Sequence, residues 1–420
     1  MKKTFICGLL ALCCMGGYAQ DKAVKAELYG FVRNYFTYDS RSCVQSNEGL
    51  FNMLPNDINP GLNGEDLNAI PSVRFLSMTT RLGFNVTGPE IFGAKSTAKI
   101  ESDFCGASSS TAFNLRIRQA YTKLAWEHSD LLVGQAWHPM SGDLMPEVFS
   151  LATGAPFNPF NRSPQVRYNY APTKGLQFTA SAIYQFQYGS VGLDGKTSNT
   201  YARNALVPEM FLGVTAKGKH LTGTIGANAS TIAPRVVANN LLFDCQNMLV
   251  NERLTSYSFM ASGSLKVDYL SVRAKAVYGQ NTSHMMQPTG FGIVETSIDG
   301  VNVYEPMEMG SAWVTMMYGK KLRYGFFAGW LKNYGHDGKK FTSLVVRNNT
   351  GLDEAYRFSP IITYKVENMQ IGLEYEHTAA AYGEYFVHEN DYPNQVTNGT
   401  VTNTHWVANN RVCMMLKYDF

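Results

Sequence analysis

The segment Val133–Tyr168, VGQAWHPMSGDLMPEVFSLATGAPFNPFNRSPQVRY, gathers side chains able to do chemistry: Trp137, His138, Asp143, Glu147, Arg162 and Arg167, among five prolines. A histidine with carboxylates nearby is suited to general acid–base catalysis. The proline density rules out a helix or a central strand, so the segment must act as an ordered loop. The chain contains no GxSxG elbow, HExxH pair, Walker loop or dinucleotide fingerprint. Its eight histidines, His128, His138, His220, His284, His336, His377, His388 and His405, are dispersed at expected loops or strand ends. Each alone reads as a solvated polar residue, and a triad assembled across distant strands stays open.

The chain begins MKKTFICGLLALCCMGGYAQ, with two lysines, an apolar run and Gly17-Tyr18-Ala19. That is the layout of a secretory signal peptide over 1–19. Its apolar run is shorter than the roughly 20 residues needed to span a bilayer. Cys43, Cys105, Cys245 and Cys413 lack zinc-type spacing, and no disulfide pairing among them follows from the sequence. The formal charge of +3 includes Lys2 and Lys3, so the mature chain is close to neutral and has no strong field for nucleic acid.

No linker or low-complexity tract divides residues 20–420. Alternating segments of roughly 10 to 15 residues are joined by short and long connections in turn, the grammar of an all-β transmembrane antiparallel barrel. Leu176, Phe178, Ala180, Ala182, Tyr184 and Phe186 form one row, against Gln177, Thr179, Ser181, Gln185 and Gln187. Tyr257, Phe259, Ala261, Gly263, Leu265, Val267 and Tyr269 oppose Ser256, Ser258, Ser262, Ser264, Lys266 and Asp268. A period of 3.6 would mix these classes on one face.

Short turns are expected near Ser129-Asp130, 173–175, 219–220, 268–270, 320–321 and 367–368. Long connections are expected near 40–70, 138–164, 188–206, 235–253, 281–309, 335–354 and 384–404. The count predicts about sixteen strands, short periplasmic turns and long outer loops. The terminal row Val412, Met414, Leu416, Tyr418, Phe420 resembles the C-terminal signal read by the barrel-assembly machinery. A barrel of that size encloses water, and outer-membrane lipid is its surroundings.

A charge facing lipid at the midplane costs about 2–4 kcal/mol, which directs Arg33, Arg81, Arg116, Arg118, Arg167 and Arg273 into the lumen. Arg116 and Arg118 are two apart in NLRIRQAY and share a side; Glu101 and Asp103 are acids with which such arginines can pair. A positive stripe of this kind favours small hydrophilic or anionic solutes over cations. The segment after Trp137 carries Met140, Leu144, Met145, Val148, Phe149, Leu151, Phe157 and Phe160, too apolar for an outer loop in water. It is therefore expected to fold into the barrel mouth as the third long connection. There Trp137, His138 and Phe149 line a constriction, and Asp143 and Glu147 face the basic wall.

NLRIRQAYTKL, LLVGQAWHPM, MPEVFSL and GAPFNPFNRSPQVRYNY, followed by regular strands and Phe420, resemble the DcaP-like outer-membrane porins of Gram-negative bacteria. The resemblance implies a sixteen-stranded homotrimeric porin with an inward third loop and some preference for anions. It matches Arg116, Arg118 and the segment Gly134–Phe149 to the family pattern. A coiled-coil extension known in the family has no counterpart in Gln20–Glu27, which precede the first expected strand. No cofactor, energy coupling or enzymatic turnover is expected; the alternatives are a barrel-embedded enzyme such as a lipase, or a surface-binding adhesin.

Overall fold

The computed structural model describes residues 24–420 apart from 107–110, 112, 143, 241–245, 339, 349–350 and 388–396. The expected leader 1–19, Asp143, Cys245 and His388 lie outside the described residues. Sixteen strands close into one antiparallel barrel. In chain order they are β1 (Lys25–Asp39), β2 (Arg81–Ile91), β3 (Ala94–Asp103), β4 (Arg116–Ala125), β5 (Ser129–Trp137), β6 (Arg162–Thr173), β7 (Leu176–Ile183) and β8 (Glu209–Lys217). Then come β9 (Leu221–Ile232), β10 (Leu254–Val267), β11 (Leu270–Gln280), β12 (Glu308–Gly319), β13 (Leu322–Gly335), β14 (Leu352–Val366), β15 (Met369–Val387) and β16 (Thr397–Asp419).

Each strand pairs with its chain neighbours, and β16 returns to β1 in a register running from Phe31↔Asp419 to Asp39↔Arg411. Gly30 and Phe420 exchange backbone hydrogen bonds of 3.1 Å in both directions at the end of this seam. The lower part of β1 pairs with β2. Its upper part pairs with Ser72–Leu76, the one extra strand outside the ring.

The alternation read from the sequence sorts the two faces. Tyr257 and Phe259 are more than half exposed on the outer surface, whereas Ser256 and Ser258 on the same strand are buried inside. Exposed tyrosines recur at strand ends, among them Tyr168, Tyr170, Tyr269, Tyr318, Tyr324 and Tyr418, as interfacial girdles require. The strands are joined at one end by tight turns at 92–93, 126–128, 174–175, 218–220, 268–269, 320–321 and 367–368. The turn expected at Ser129-Asp130 is displaced to 126–128, because Ser129 already pairs with Tyr170. A further outer connection, 104–115, was absent from the expected set and makes 138–161 the third.

Two outer connections fill the lumen. Loop 3 (138–161) buries Met140, Phe149, Leu151, Phe157 and Phe160 inside the barrel. Loop 1 (40–80) adds a hairpin, Cys43–Ser46 with Phe51–Pro55, whose Leu50, Phe51, Met53 and Leu54 are equally buried and join the same apolar cluster. The rings of Phe51 and Phe160 meet edge to face at 5.3 Å. Cys43, Cys105 and Cys413 are buried free thiols.

Facing can be tested on adjacent residues of β9, since Ile225 is 64 % exposed to the outside and Thr224 faces in, bonded to Thr215 at 3.0 Å. Ile225→Arg should cost about 2–4 kcal/mol in urea unfolding from lipid vesicles. Thr224→Arg should cost clearly less; equal losses would contradict the assigned facing.

Candidate pore constriction

Loop 3 starts with a single helical turn, Pro139–Gly142, capped by His138: the backbone N–H of Met140 donates to His138 Nδ1 at 3.1 Å. The acceptor role of Nδ1 leaves the proton on Nε2, which donates to Glu209 Oε1 at 3.1 Å. The same carboxylate oxygen lies 2.9 Å from His284 Nε2 and accepts from Asn228 Nδ2 at 2.7 Å. Gln185 donates to its other oxygen at 3.3 Å. Lys275 then holds the carbonyls of Met140 and Ser141 at 2.9 and 3.0 Å. His138, Glu209 and His284 bring their ligand-type atoms within 4.8 Å of one another, the one such group found among the described residues. It does not fit a metal: a protonated Nε2 offers no lone pair, and neither ring donates its other N–H to an acceptor.

Farther along, loop 3 is clasped from two walls. Phe149 donates its N–H to Glu374 at 2.7 Å and accepts from the Tyr35 hydroxyl at 2.7 Å. Its ring occupies the space where a Cβ on Gly372 would stand, 2.1 Å away, so a side chain at that wall position would evict it. Gly329 makes the same room for Phe157. Asn158 accepts from Trp313 Nε1 at 3.0 Å. Glu147 spans to the opposite wall, pairing with Arg273 at 3.2 Å and Arg323 at 2.7 Å and accepting from Ser271 at 3.0 Å.

The basic residues named from the sequence line the interior, but they are not bare. Arg116 makes a two-pronged pair with Asp103, at 2.7 and 3.2 Å. Arg118 reaches Glu101 at 2.9 Å and Asp103 at 2.8 Å. A register shift between β3 and β4 at Glu101/Ser102 inserts one extra residue there, so Arg118 and Gln119 both turn to Glu101. Arg81 stands 3.7 Å from Glu101, and Arg33 donates to Thr79 at 2.9 Å while lying over the rings of Phe31 and Tyr35. Arg167 donates to the carbonyl of Trp137 at 2.6 Å, at the root of loop 3. Arg162, noted in the loop segment but not among the residues expected to line the lumen, is fully buried and stacked on Trp137 at 4.7 Å and Phe160 at 5.2 Å. Sequence reading gave it no role. It also missed the loop 1 hairpin, Arg323 and Glu209; the run of apolar residues Leu50–Leu54 was the one signal available for the hairpin.

Burial pushes the His138 imidazole below its ordinary value, with Glu209 opposing and His284 and Arg167 adding to the shift. A lowered folded-state value means that the stabilisation is complete above the ordinary imidazole value near 6.5 and fades as pH falls below it. Loop 3 should therefore loosen as pH falls below about 6.5, read as faster hydrogen exchange at the Met140 amide that His138 holds. His138→Asn retains a capping acceptor without titrating and should flatten that response; an unchanged response would remove His138 as its source.

No family model and no curated protein matches this chain. Solved structures do. The outer membrane channel DcaP of Acinetobacter baumannii superposes with a TM-score of 0.67 at 21% identity, covering 96% of this chain and 100% of that one. An anion-selective porin from Comamonas acidovorans gives 0.56 at 10% identity, covering 95% and 100%. The trimer form of OmpT, an outer membrane protein of Vibrio cholerae, gives 0.52 at 11% identity, covering 95% and 100%. With its sixteen-stranded closed wall and inward third loop, the chain has the fold of the outer-membrane porins, DcaP among them.

Proposed function

We propose that this chain is a passive diffusion channel for small hydrophilic solutes with a mild preference for anions, working without cofactor or catalytic turnover. The observation that carries the preference is the charge balance on the wall facing loop 3. Arg81, Arg116 and Arg118 share two carboxylates, Glu101 and Asp103, and Lys99 also lies 3.9 Å from Glu101; Arg33 beside them is held by Thr79 instead, so cations outnumber carboxylates in this cluster. An excess of fixed positive charge between low-dielectric walls raises the local concentration of anions. Glu147 is the counterweight on the other wall, where it holds Arg273 and Arg323.

His138 supports the non-enzymatic reading, since its ring nitrogens are engaged in capping loop 3 and in bonding Glu209. A homotrimer is proposed on the likeness to a protein solved in a trimer form. A mature chain starting at Gln20, after a leader over 1–19, belongs to the same reading, as does insertion by the barrel-assembly machinery. Asp143 is proposed to add acidity to loop 3.

Planar bilayers under a salt gradient test the channel. Stepwise conductance with an anion-directed reversal potential is expected, and a folded barrel without steps would refute the reading. Arg33→Gln with Arg81→Gln should lower the anion-to-cation permeability ratio roughly two- to fivefold, from about 0.4–1 kcal/mol of lost attraction in a wet pore. Glu147→Gln should raise the ratio by freeing two arginines; a fall would place the selecting charge elsewhere.

A further inference from the structure

Above loop 3, on the side of the outer connections, lies a cavity of about 530 Å³, within the 300–1,000 Å³ typical of small-molecule sites. Asn47 and Phe51 of loop 1, Tyr188 and Asn199 of the fourth outer connection (184–208), Arg116 at the head of β4, and Arg347 of the seventh (336–351) line it. Arg347 donates from Nη1 to the carbonyl of Ser283 at 2.7 Å, but its buried Nε has no partner, and no carboxylate pairs with it among the described residues. Burial lowers its pKa to about 10, which still leaves it charged at neutral pH. The Tyr188 hydroxyl accepts from Arg162 Nη2 at 3.0 Å, so its own proton is free to be donated, and Arg162 Nη1 behind it is likewise unpartnered. Three guanidiniums thus stand at or behind the cavity with one phenol, and among the described residues only Arg116 of the three has a carboxylate partner.

This donor set, with no resident anion, matches a carboxylate, because a guanidinium and a hydroxyl can each donate to its oxygens. A bare carboxylate would leave most of the cavity unfilled. The amide of Asn199 supplies both a donor and an acceptor, and that of Asn47, whose NH2 is engaged by the Gly106 carbonyl, a further acceptor, which a hydroxyl needs and a second carboxylate does not.

We propose that this outer cavity is a subsite for sugar acids, monocarboxylates carrying several hydroxyls, captured before they reach the constriction. The assignment rests on the diffusion-channel reading for its role but not for its chemistry. Galacturonate added to the outer side of a bilayer should interrupt the current at a concentration at least tenfold below that needed by galactose or succinate. Arg347→Gln should raise the half-blocking galacturonate concentration roughly tenfold, as loss of a charge-assisted contact implies, and Tyr188→Phe, which removes one donor and little volume, by severalfold. Equal block by succinate would mean plain anion attraction, and equal block by galactose would mean no carboxylate recognition; either overturns the subsite. Calorimetric titration of galacturonate into the detergent-solubilised barrel decides the subsite separately: binding lost in Arg347→Gln and Tyr188→Phe supports it even if no conductance is found, a result that would defeat the channel alone. Absence of binding to the folded wild-type barrel overturns the subsite.

Discussion

In a hydrocarbon layer an unpaired backbone N–H or C=O costs several kcal/mol, so a sheet crosses a membrane only by closing on itself. The β1–β16 seam, sealed at its end by the reciprocal bonds between Gly30 and Phe420, is where that requirement is met. Closure removes the last edge, and alternation does the rest: once every second side chain faces lipid, its neighbours must face the lumen. Charged residues such as Glu101, Asp103, Arg116 and Arg118 are therefore collected inside by the same rule that puts Tyr257 and Phe259 outside.

Sixteen strands enclose more space than their own inward side chains can fill, so the connections occupy it. Loop 3 and the loop 1 hairpin bring an aromatic core into a polar barrel, with Phe51, Phe157 and Phe160 fully or almost fully buried. Each such ring contributes about 1.5–3 kcal/mol by leaving water. Apolar packing does not choose a direction, however, and position is set by polar anchors at the root and midway along the loop: His138 with Glu209, and Phe149 between Tyr35 and Glu374. The wall cooperates through glycine at positions 329 and 372, where any side chain would take the space of a docked ring.

The strand grammar was legible because period two is a local property, visible within a dozen residues. The third loop was legible for a related reason, since apolar residues between prolines have to be buried somewhere. Pairing was not legible. Nothing in the spacing of His138, Glu209 and His284, or of Glu147 and Arg323, signals contact, because barrel curvature and loop course bring them together. The register shift at Glu101/Ser102 was invisible for a subtler reason: Arg116 and Arg118 keep the same parity with or without it, yet it decides that Gln119 also reaches Glu101. Nothing local in the sequence marks Gly329 and Gly372 as the places where the rings of Phe157 and Phe149 dock.

Pairing changes what the arginines can do. A buried ion pair recovers little net stability over an apolar replacement, but removing one partner strands a buried charge at a cost of about 3–5 kcal/mol. Asp103 and Glu101 therefore serve less as glue than as fixed counter-charges that orient Arg116 and Arg118. Arg81, Arg116 and Arg118 share only Glu101 and Asp103, so this cluster holds more guanidiniums than carboxylates. On the opposite wall one carboxylate, Glu147, answers two arginines and ties the loop to them. Acidic side chains in this lumen thus hold the loop and aim the cations, so loop position and the placement of the arginines depend on the same few contacts.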